Sequence, residues 1–423
     1  MSPASKDPPC GCGFGTDLLH ADDGFHGPEV SPSISVSTTF RQTEVPELAA
    51  GQLLEHPELG RDIRGHMYSR ISQDVRSRVE QVLSKVNGGY AITYGSGLAA
   101  VYAALTLLRP RGIAIAGGYF GVHHVIQTYG RDRGLKVVDL DDNFDEVDIC
   151  WVETPLNPTG EVRNLQHYAD KAGLHLRIHS CGGRLVVDAT FAPPPLQFPF
   201  KWGADIVMHS ATKYFGGHSD LLGGVLVVKT LEEWGKLWMD RIALGGVMGS
   251  LESWLLLRSL RTLHLRIPRQ SSNATVLAQW LNRIASTPKG QSFDGVAGGM
   301  IKKVWHSSLQ SEDVSGWSPS QQMEGGHSPT FAILLESSKV ASSLPLSLQY
   351  FIPATSLGGV ESLIEQRVRS SPGEDPRLVR ISVGIEDISD LKQDIRNALR
   401  NLNRVSSILY FFVFQPWHLI HSL

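Results

Sequence analysis

The chain has 423 residues, a length that predicts two or three domains or one large α/β core with an appended lobe. Hydrophobic residues make up 42% and charged residues 19%, so the composition excludes a disordered chain and supplies a large core. With 39 Lys and Arg against 42 Asp and Glu, the formal charge of −3 excludes a nucleic-acid binder with a broad basic face. We therefore expect a small-molecule partner.

Cysteine usage and apolar runs predict a cytoplasmic protein. The chain has four cysteines, Cys10, Cys12, Cys150 and Cys181. They are too few and too scattered for a disulfide framework, which favours a reducing compartment. Residues 1–9 do not carry a secretory signal pattern, and no run reaches the 18 apolar residues of a membrane span, so we expect no membrane partner.

The first 65 residues predict an N-terminal arm rather than a domain. They are rich in turn formers, have little amphipathic periodicity and carry one β-like run at residues 34–40. We expect this arm, residues 1–65, to lie extended over a neighbour.

Residues 66–245 predict a large α/β domain. Helical patterns, for example at residues 73–86 and 98–108, alternate with short apolar runs. The runs lie at residues 113–116, 136–140, 148–152, 185–188, 205–208 and 224–228. Runs of this length between helices indicate buried, mainly parallel strands with helices on both faces of the sheet. Ligands bind beyond the carboxyl ends of such strands, so the polar residues there are site candidates.

Residues 246–402 predict a smaller C-terminal α/β domain. Its elements are a long helical stretch, two strands and a closing helix, at residues 251–263, 330–335, 379–383 and 388–402. Residues 307–327 are rich in Ser, Gln and Gly and predict a loop. The tail, residues 403–423, has no helical period, and the sequence leaves its structure open.

The most informative candidate is Lys213. It follows the predicted strand at 205–208, stands among small hydroxyl residues and precedes two glycines. A partly buried lysine has a depressed pKa and can act as a nucleophilic amine that forms a Schiff base with a carbonyl compound. Ser210 and Thr212 could then give hydroxyl hydrogen bonds to a nearby phosphate. The alternative is a loop lysine on a glycine-rich turn.

Two other strand ends carry candidate groups. Asp188 closes an apolar strand and could hold a ring nitrogen protonated, although strand-end acids also cap helices and bind metals. The sequence TYGSGLAA at residues 93–100 places a turn of small residues at the start of a helix. The free N–H groups and positive dipole there suit a phosphate, and the alternative is a tight turn without a ligand.

The glycines do not form a nucleotide-binding motif, and the cysteines and histidines do not form a zinc motif. A phosphate-binding P-loop needs Ser or Thr after its lysine, and Lys213 is followed by Tyr214. The dinucleotide motif G-x-G-x-x-G does not occur between a strand and a helix. We expect no metal site, because the pairs Cys10-x-Cys12 and His179-x-Cys181 lack the C-x₂-C spacing of zinc sites.

In chain order, these motifs resemble the Cys/Met-metabolism family of pyridoxal-phosphate enzymes. That family contains cystathionine γ-synthase, cystathionine γ-lyase, cystathionine β-lyase and methionine γ-lyase. The sequence DIVMHSATKYFGGHS at residues 205–219 matches the family's cofactor-lysine signature along its length. Supporting matches lie at residues 68–70, 95–97, 118–121, 153–158, 187–191, 356–362 and 378–387. The resemblance covers residues 28–402 and implies the type I fold of these enzymes, the aspartate-aminotransferase-like α/β fold.

The resemblance also implies roles around the cofactor ring. Lys213 would hold pyridoxal 5'-phosphate through a Schiff base and then shuttle protons. Asp188 would pair with the pyridine nitrogen, and Asn157 would contact the ring hydroxyl. Tyr119 would stack on the ring and take part in proton transfer.

The same resemblance implies contacts to the phosphate and the substrate. The phosphate would be bound by residues of this chain and by a Tyr-x-Arg pair from an adjacent subunit. These residues are Gly97, Leu98, Ser210 and Thr212, together with Tyr68 and Arg70 of the neighbour. The shared site implies a homo-oligomer, a dimer at least and a tetramer by family analogy. Arg380, helped by Ser356 and flanked by Thr355, would clamp the α-carboxylate of an amino-acid substrate.

The sequence departs from the family on the substrate side. Thr355 stands where cystathionine γ-synthases and γ-lyases often carry a Glu, and the usual Met-Thr-His segment is absent between Glu361 and Arg380. We expect an enzyme that makes or breaks a C–S bond at the γ-carbon of a sulfur or activated-homoserine amino acid. A β-eliminating C–S lyase, a γ-substituting enzyme of specialised metabolism and a non-catalytic binding protein stay open as alternatives.

Overall fold

A computed structural model describes residues 12–25, 27, 29–41, 66–144, 146–176 and 183–414 of the chain. The helices are α1 Phe14–His20, α2 Asp74–Asn87, α3 Gly97–Leu108, α4 Phe120–Gly130, α5 Leu165–Leu176, α6 Leu231–Leu244, α7 Ser250–Leu260, α8 Leu263–Ala285, α9 Pro319–Gln322, α10 Ser338–Ser343 and α11 Ile388–Phe414. The strands are β1 Tyr90–Tyr94, β2 Gly112–Ile115, β3 Lys136–Val138, β4 Ile149–Glu153, β5 Arg184–Asp188, β6 Ile206–Ser210, β7 Gly224–Val228, β8 Ser292–Phe293, β9 Val296–Ala297, β10 Ile301–Trp305, β11 Thr330–Leu335, β12 Ile352–Pro353, β13 Leu363–Gln366 and β14 Leu378–Ser382.

The first sheet has seven strands in the order β1-β7-β6-β5-β4-β2-β3. Strands β2 to β6 pair in parallel, and β7 runs antiparallel to both of its neighbours. All six apolar runs identified in the sequence are strands of this sheet, so the prediction of a mainly parallel sheet is confirmed. Strand β1 was not predicted, because this five-residue run lies directly between a helix and a glycine turn.

Helices cover both faces of the first sheet. Successive residues of a strand point to opposite faces, so Val187 joins one buried cluster with helix α2, while Val186 joins the other with helix α3. Helix α2 begins where the Gln73 side chain accepts a hydrogen bond from the Arg76 N–H at 3.0 Å, and it ends at Gly88 with a φ of 71°. This two-sided burial explains why the strands read as unbroken apolar runs.

The second sheet has five strands in the order β10-β11-β14-β13-β12. Helices α8 and α11 pack on it through a separate cluster that contains Leu277, Ile333 and Ile395. The predicted helix at 251–263 is wrong in extent, because α7 and α8 together continue to Ala285 through the apolar face of α8. The predicted loop at 307–327 contains the short helix α9, which begins with a proline in its first turn.

The predicted β-like run at 34–40 is not a strand. Among the described residues, its only strand-like pairing is a bridge between Thr39 and Tyr68, and the side chains of Ile34 and Val36 are 48% and 85% exposed. The sheets formed by the described residues therefore do not bury the apolar side chains of this run. The arm also contains α1, which the sequence analysis missed and whose Leu18 is fully buried.

Some expectations fall on residues that the structure does not describe. These are Cys10, His179, Cys181, and the parts of the arm and tail at residues 1–11, 42–65 and 415–423. The closing helix continues beyond the predicted end at 402, to Phe414. A helix that is apolar and long enough to cross a bilayer does not occur among the described residues. The domain limits at 65, 245 and 402 stay a prediction.

Candidate active site

Lys213 lies at the carboxyl end of β6, in a loop that is fixed from two sides. The Arg266 guanidinium donates a hydrogen bond to the Tyr214 carbonyl at 2.9 Å. On the other side Gly358 approaches so closely that a Cβ there would lie 2.7 Å from the Tyr214 nitrogen, and its φ is 85°. The Lys213 ammonium nitrogen Nζ donates to Ser356 Oγ at 2.7 Å. The amine is therefore held at the junction of the two sheets.

The electrostatic environment makes the Lys213 amine a nucleophile. Its pKa is lowered from 10.5 to about 8, chiefly by burial and then by the positive charge of Arg380, while the negative charge of Glu365 opposes the change. An amine with this pKa is partly neutral near physiological pH and can attack a carbonyl carbon.

Asp188 ends β5, the strand next to β6, and the residue is buried, with 4% of its surface exposed. The Thr190 N–H and hydroxyl both donate to its Oδ1, at 3.0 and 2.6 Å, which leaves Oδ2 for another donor. Burial raises the pKa of Asp188. No role was predicted for Thr190, although it follows Asp188 by only two positions.

Glu153 is a second buried acid beside Asp188, and no role was predicted for it from the sequence. The two residues are directly paired across β4 and β5. Glu153 accepts the Tyr119 N–H at 2.7 Å and the Asn157 N–H at 2.6 Å, so one carboxyl group positions both backbones. Burial and the adjacent Asp188 raise its pKa. An acid at the carboxyl end of the neighbouring strand was a signal that could have identified it.

The start of α3 faces the end of β6. Ser96 caps the helix by accepting the Ala99 N–H at 3.1 Å, and a Cβ on Gly97 would lie 3.2 Å from Ser210 Cβ. Leu98 follows in the first turn and is half-buried. Thr212 lies in the same loop as Lys213, where its hydroxyl accepts the Gly223 N–H at 3.1 Å.

Arg380 on β14 lies against the lysine loop. Its Nη1 donates to Asn157 Oδ1 at 3.0 Å, and its Nη2 donates to the Ser356 carbonyl at 2.9 Å and to Glu365 at 3.0 Å. Ser356 adopts a φ of 87°, a left-handed conformation that is uncommon outside glycine. Thr355 is exposed beside it. The structure therefore brings Lys213, Asn157, Ser356 and Arg380 together through hydrogen bonds.

Three candidates lie on the surface of the described chain. Tyr68 and Tyr119 are each 40% exposed, and the Arg70 guanidinium lies 5.4 Å from the Tyr68 ring. Arg70 also donates to the Ile242 carbonyl at 2.9 Å, at the end of α6. Among the described residues, neither Tyr68 nor Arg70 forms a hydrogen bond with another candidate. Tyr119 is linked to the site through its backbone contact with Glu153.

The donor set fits pyridoxal phosphate. The nucleophilic Lys213 suits the aldehyde, the free Oδ2 of Asp188 suits the ring nitrogen, and the start of α3 beside Ser210 suits the phosphate. The mainly parallel sheet places these groups at the carboxyl ends of its strands. This fold and this site define a type I pyridoxal-phosphate-dependent enzyme.

Comparison with known proteins identifies the family. The family model described as "Cys/Met metabolism PLP-dependent enzyme" matches residues 16–400. Cystathionine gamma-lyase of Saccharomyces cerevisiae is 31% identical over 92% of this chain and 97% of its own. Cystathionine beta-lyase of Lactococcus lactis subsp. cremoris is 32% identical over 78% of this chain and 88% of its own. The crystal structure of cystathionine gamma-lyase from yeast superposes with a TM-score of 0.78 at 28% identity, over 93% of this chain and 98% of that one. The chain belongs to the Cys/Met metabolism family of pyridoxal-phosphate-dependent enzymes.

Proposed function

We propose that the protein makes or breaks a C–S bond at the γ-carbon of a sulfur-containing or activated-homoserine amino acid. The observation that carries the proposal is the Lys213 amine, which is partly neutral and lies within hydrogen-bonding distance of Ser356 beside Arg380. In this arrangement Lys213 would transfer protons next to Arg380, which would bind the substrate carboxylate. The relatives named cystathionine gamma-lyase support chemistry at the γ-carbon.

Four residues would hold and orient the cofactor ring. Pyridoxal phosphate, when bound, supplies an electron sink for negative charge at the substrate Cα. Lys213 would hold the cofactor covalently, and Asp188 would offer Oδ2 to its ring nitrogen while Thr190 occupies Oδ1. Asn157 Oδ1 accepts a hydrogen bond from Arg380 Nη1, so Asn157 Nδ2 would be the atom that donates to the ring hydroxyl. Tyr119 would stack on the ring.

The phosphate would be bound at the start of α3. The N–H groups of Gly97 and Leu98 lie in the first turn of the helix, where backbone donors have no partner within the helix. Ser210 lies beside Gly97 and would add its hydroxyl. Thr212 would add a second hydroxyl from the lysine loop.

The substrate would bind through its α-carboxylate and react at carbons near the Lys213 amine. Arg380 would bind the carboxylate, with Ser356 and Thr355 beside it. Lys213 would remove the proton from Cα and, for γ-chemistry, would also move the proton at Cβ. Tyr119 would assist in this proton transfer. Thr355 carries no charge, so it would not select cystathionine by charge, and a different substrate is compatible with this position.

β-Elimination is the second candidate function. The Lactococcus lactis relative named cystathionine beta-lyase is 32% identical to this chain, and the same lysine and tyrosine would serve both reactions. The two differ in whether a proton is removed from Cβ after the first deprotonation. The products therefore discriminate between them.

A substrate panel tests the proposal. Purified protein loaded with cofactor is supplied with cystathionine, with O-acyl-homoserine plus cysteine, and with methionine, and a Lys213→Ala variant serves as the inactive control. We expect cysteine and 2-oxobutanoate from cystathionine, or cystathionine from the synthetic pair. Homocysteine with pyruvate would establish β-cleavage instead. Failure of all three would point to a specialised amino acid, and absence of the visible absorbance of bound cofactor would refute the enzyme proposal.

We further propose that each site is completed by a second subunit. Tyr68 and Arg70 lie exposed and without hydrogen bonds to the other candidates in the described chain, which supports a role on a neighbouring site. In the test, the Arg70→Ala and Lys213→Ala proteins, each expected to be inactive alone, are mixed in the unfolded state and refolded together. Random pairing restores one complete site in each mixed dimer, so about a quarter of the wild-type activity is expected. No recovery would contradict a shared site. Assembly to a tetramer is part of the same proposal and is read from the mass in solution.

A cytoplasmic location completes the proposal. The Cys150 thiol is 1% exposed, and burial raises its pKa to about 12, which keeps it unreactive. A reducing compartment suits a protein with few, scattered cysteines. Fractionation of the source cells would test the location.

A further inference from the structure

Two guanidinium groups meet one carboxyl group beside the lysine. Glu365 Oε2 accepts a hydrogen bond from Arg380 Nη2 at 3.0 Å and from Arg367 Nη1 at 2.8 Å. The three side chains are between 5% and 7% exposed. Glu365 and Arg380 lie directly opposite each other on β13 and β14, and Arg367 follows where β13 ends. By formal charge, two positive groups here share one negative group.

The excess positive charge is unusual in a buried site. Charges are buried at high cost unless a partner neutralises them. The other partners of Arg380 in the described chain, the Asn157 amide and the Ser356 carbonyl, are neutral. The cluster therefore has the charge to receive one more carboxylate.

The hydrogen bonds of Arg380 show what that carboxylate would displace. Both hydrogens of Nη2 are used, one by the Ser356 carbonyl and one by Glu365. A ligand that grips Arg380 through Nη2 must replace one of these acceptors. If it replaces Glu365, that acid keeps its hydrogen bond to Arg367. Without Arg367, the ligand would confront a buried carboxylate that has lost its counter-ion.

We infer that Arg367 is a positioning residue of the substrate site: it neutralises Glu365 and so leaves the charge of Arg380 for the α-carboxylate of the substrate. The inference rests on the proposed function, in which Arg380 binds that carboxylate. Arg367 is buried and begins the short turn that follows β13. Its Nε is buried and has no hydrogen-bond partner in the described chain, so the Glu365 contact is the ion pair that holds it.

The pKa of Arg380 reflects the same coupling. It is lowered to about 10, chiefly by burial and then by the positive charge of Arg367, while the negative charge of Glu365 raises it. The three groups thus act on one another as a single charged cluster.

The experiment isolates the contribution of the carboxylate to ligand binding. Dissociation constants of L-alanine and ethylamine, which differ by that one group, are measured on the cofactor-loaded protein from the visible absorbance of the cofactor. In Arg367→Met we expect the alanine constant to rise about tenfold, while the ethylamine constant stays unchanged. With a reactive substrate, KM should rise similarly and kcat should change less than about twofold.

Matched variants separate this role from a structural one. Arg369→Met removes an exposed arginine of the same short segment and should change neither constant. The double variant Glu365→Gln/Arg367→Met removes the competing acid as well, so alanine binding should return to near the wild-type value. An Arg367→Met protein that behaves like Arg369→Met, or a double variant without recovery, would overturn the inference.

Two further outcomes are decisive. If Arg367→Met does not fold, Glu365→Gln alone should tighten alanine binding relative to ethylamine, and unchanged or weaker binding would refute the role. If the wild-type protein does not prefer alanine over ethylamine, Arg380 does not bind the carboxylate. In that case the proposed function fails and the inference fails with it, whereas a wild-type preference that is equally large in Arg367→Met refutes the inference alone.

Discussion

The burial of Lys213 predicts how the stability of the cofactor-free protein depends on pH. The folded state lowers the pKa of the amine from 10.5 to about 8. Between these values the unfolded chain keeps the proton that the folded chain has lost, so stability rises with pH. Each pH unit is worth about 1.4 kcal/mol, so the charged amine costs the folded state about 3 kcal/mol below pH 8.

Lys213→Met removes that cost. Urea unfolding of cofactor-free wild-type and variant protein is compared at pH 7 and pH 9.5, at one protein concentration. At pH 7 the variant should exceed the wild type in unfolding free energy by about 2 kcal/mol more than at pH 9.5. The reason is that the folded wild type loses the Lys213 proton between these pH values and the variant has no such proton. Lys339→Met, an exposed site, is the matched control. A difference between variant and wild type that does not change with pH would refute the reasoning.

Two other predictions concern the neighbours of Lys213. In Gly358→Ala the new Cβ would lie 2.7 Å from the Tyr214 nitrogen at a φ of 85°, so we expect a loss of about 2 kcal/mol or more in unfolding free energy. Gly373→Ala, where a Cβ meets open space, should differ little from wild type, and equal stability of the two variants would contradict the prediction. Asp188→Asn cannot pair as an anion with a protonated ring nitrogen, so turnover should fall on the order of 100-fold or more in steady-state assays. Retention of cofactor absorbance separates this effect from lost binding, and near-normal turnover would exclude the assigned role.

The local parts of the fold and site follow from the sequence. Strands buried on both faces are unbroken apolar runs, so the ends of β5 and β6 were predictable, and with them the positions of Asp188 and Lys213. The helix start at Gly97 was predictable for a similar reason, because small residues and a serine cap precede an apolar helix.

The long-range parts do not follow from the sequence alone. Lys213 and Ser356 are 143 positions apart, and their contact depends on how the second sheet docks against the lysine loop. The pairing of Glu365 with Arg380 depends on the register of β13 and β14, which no local pattern specifies. The run at 34–40 has β propensity, but propensity is overridden here, because neither large sheet of the described residues pairs with it.

The identity of the lysine that holds the cofactor is the central claim, and it can be measured directly. Cofactor-loaded protein is reduced with borohydride, which fixes the cofactor to its amine, then digested and analysed by mass spectrometry. The account predicts the added mass on the peptide that contains Lys213, and no fixed cofactor in Lys213→Ala. Cofactor fixed to another lysine of the wild-type chain, or unchanged labelling of the variant, would contradict it.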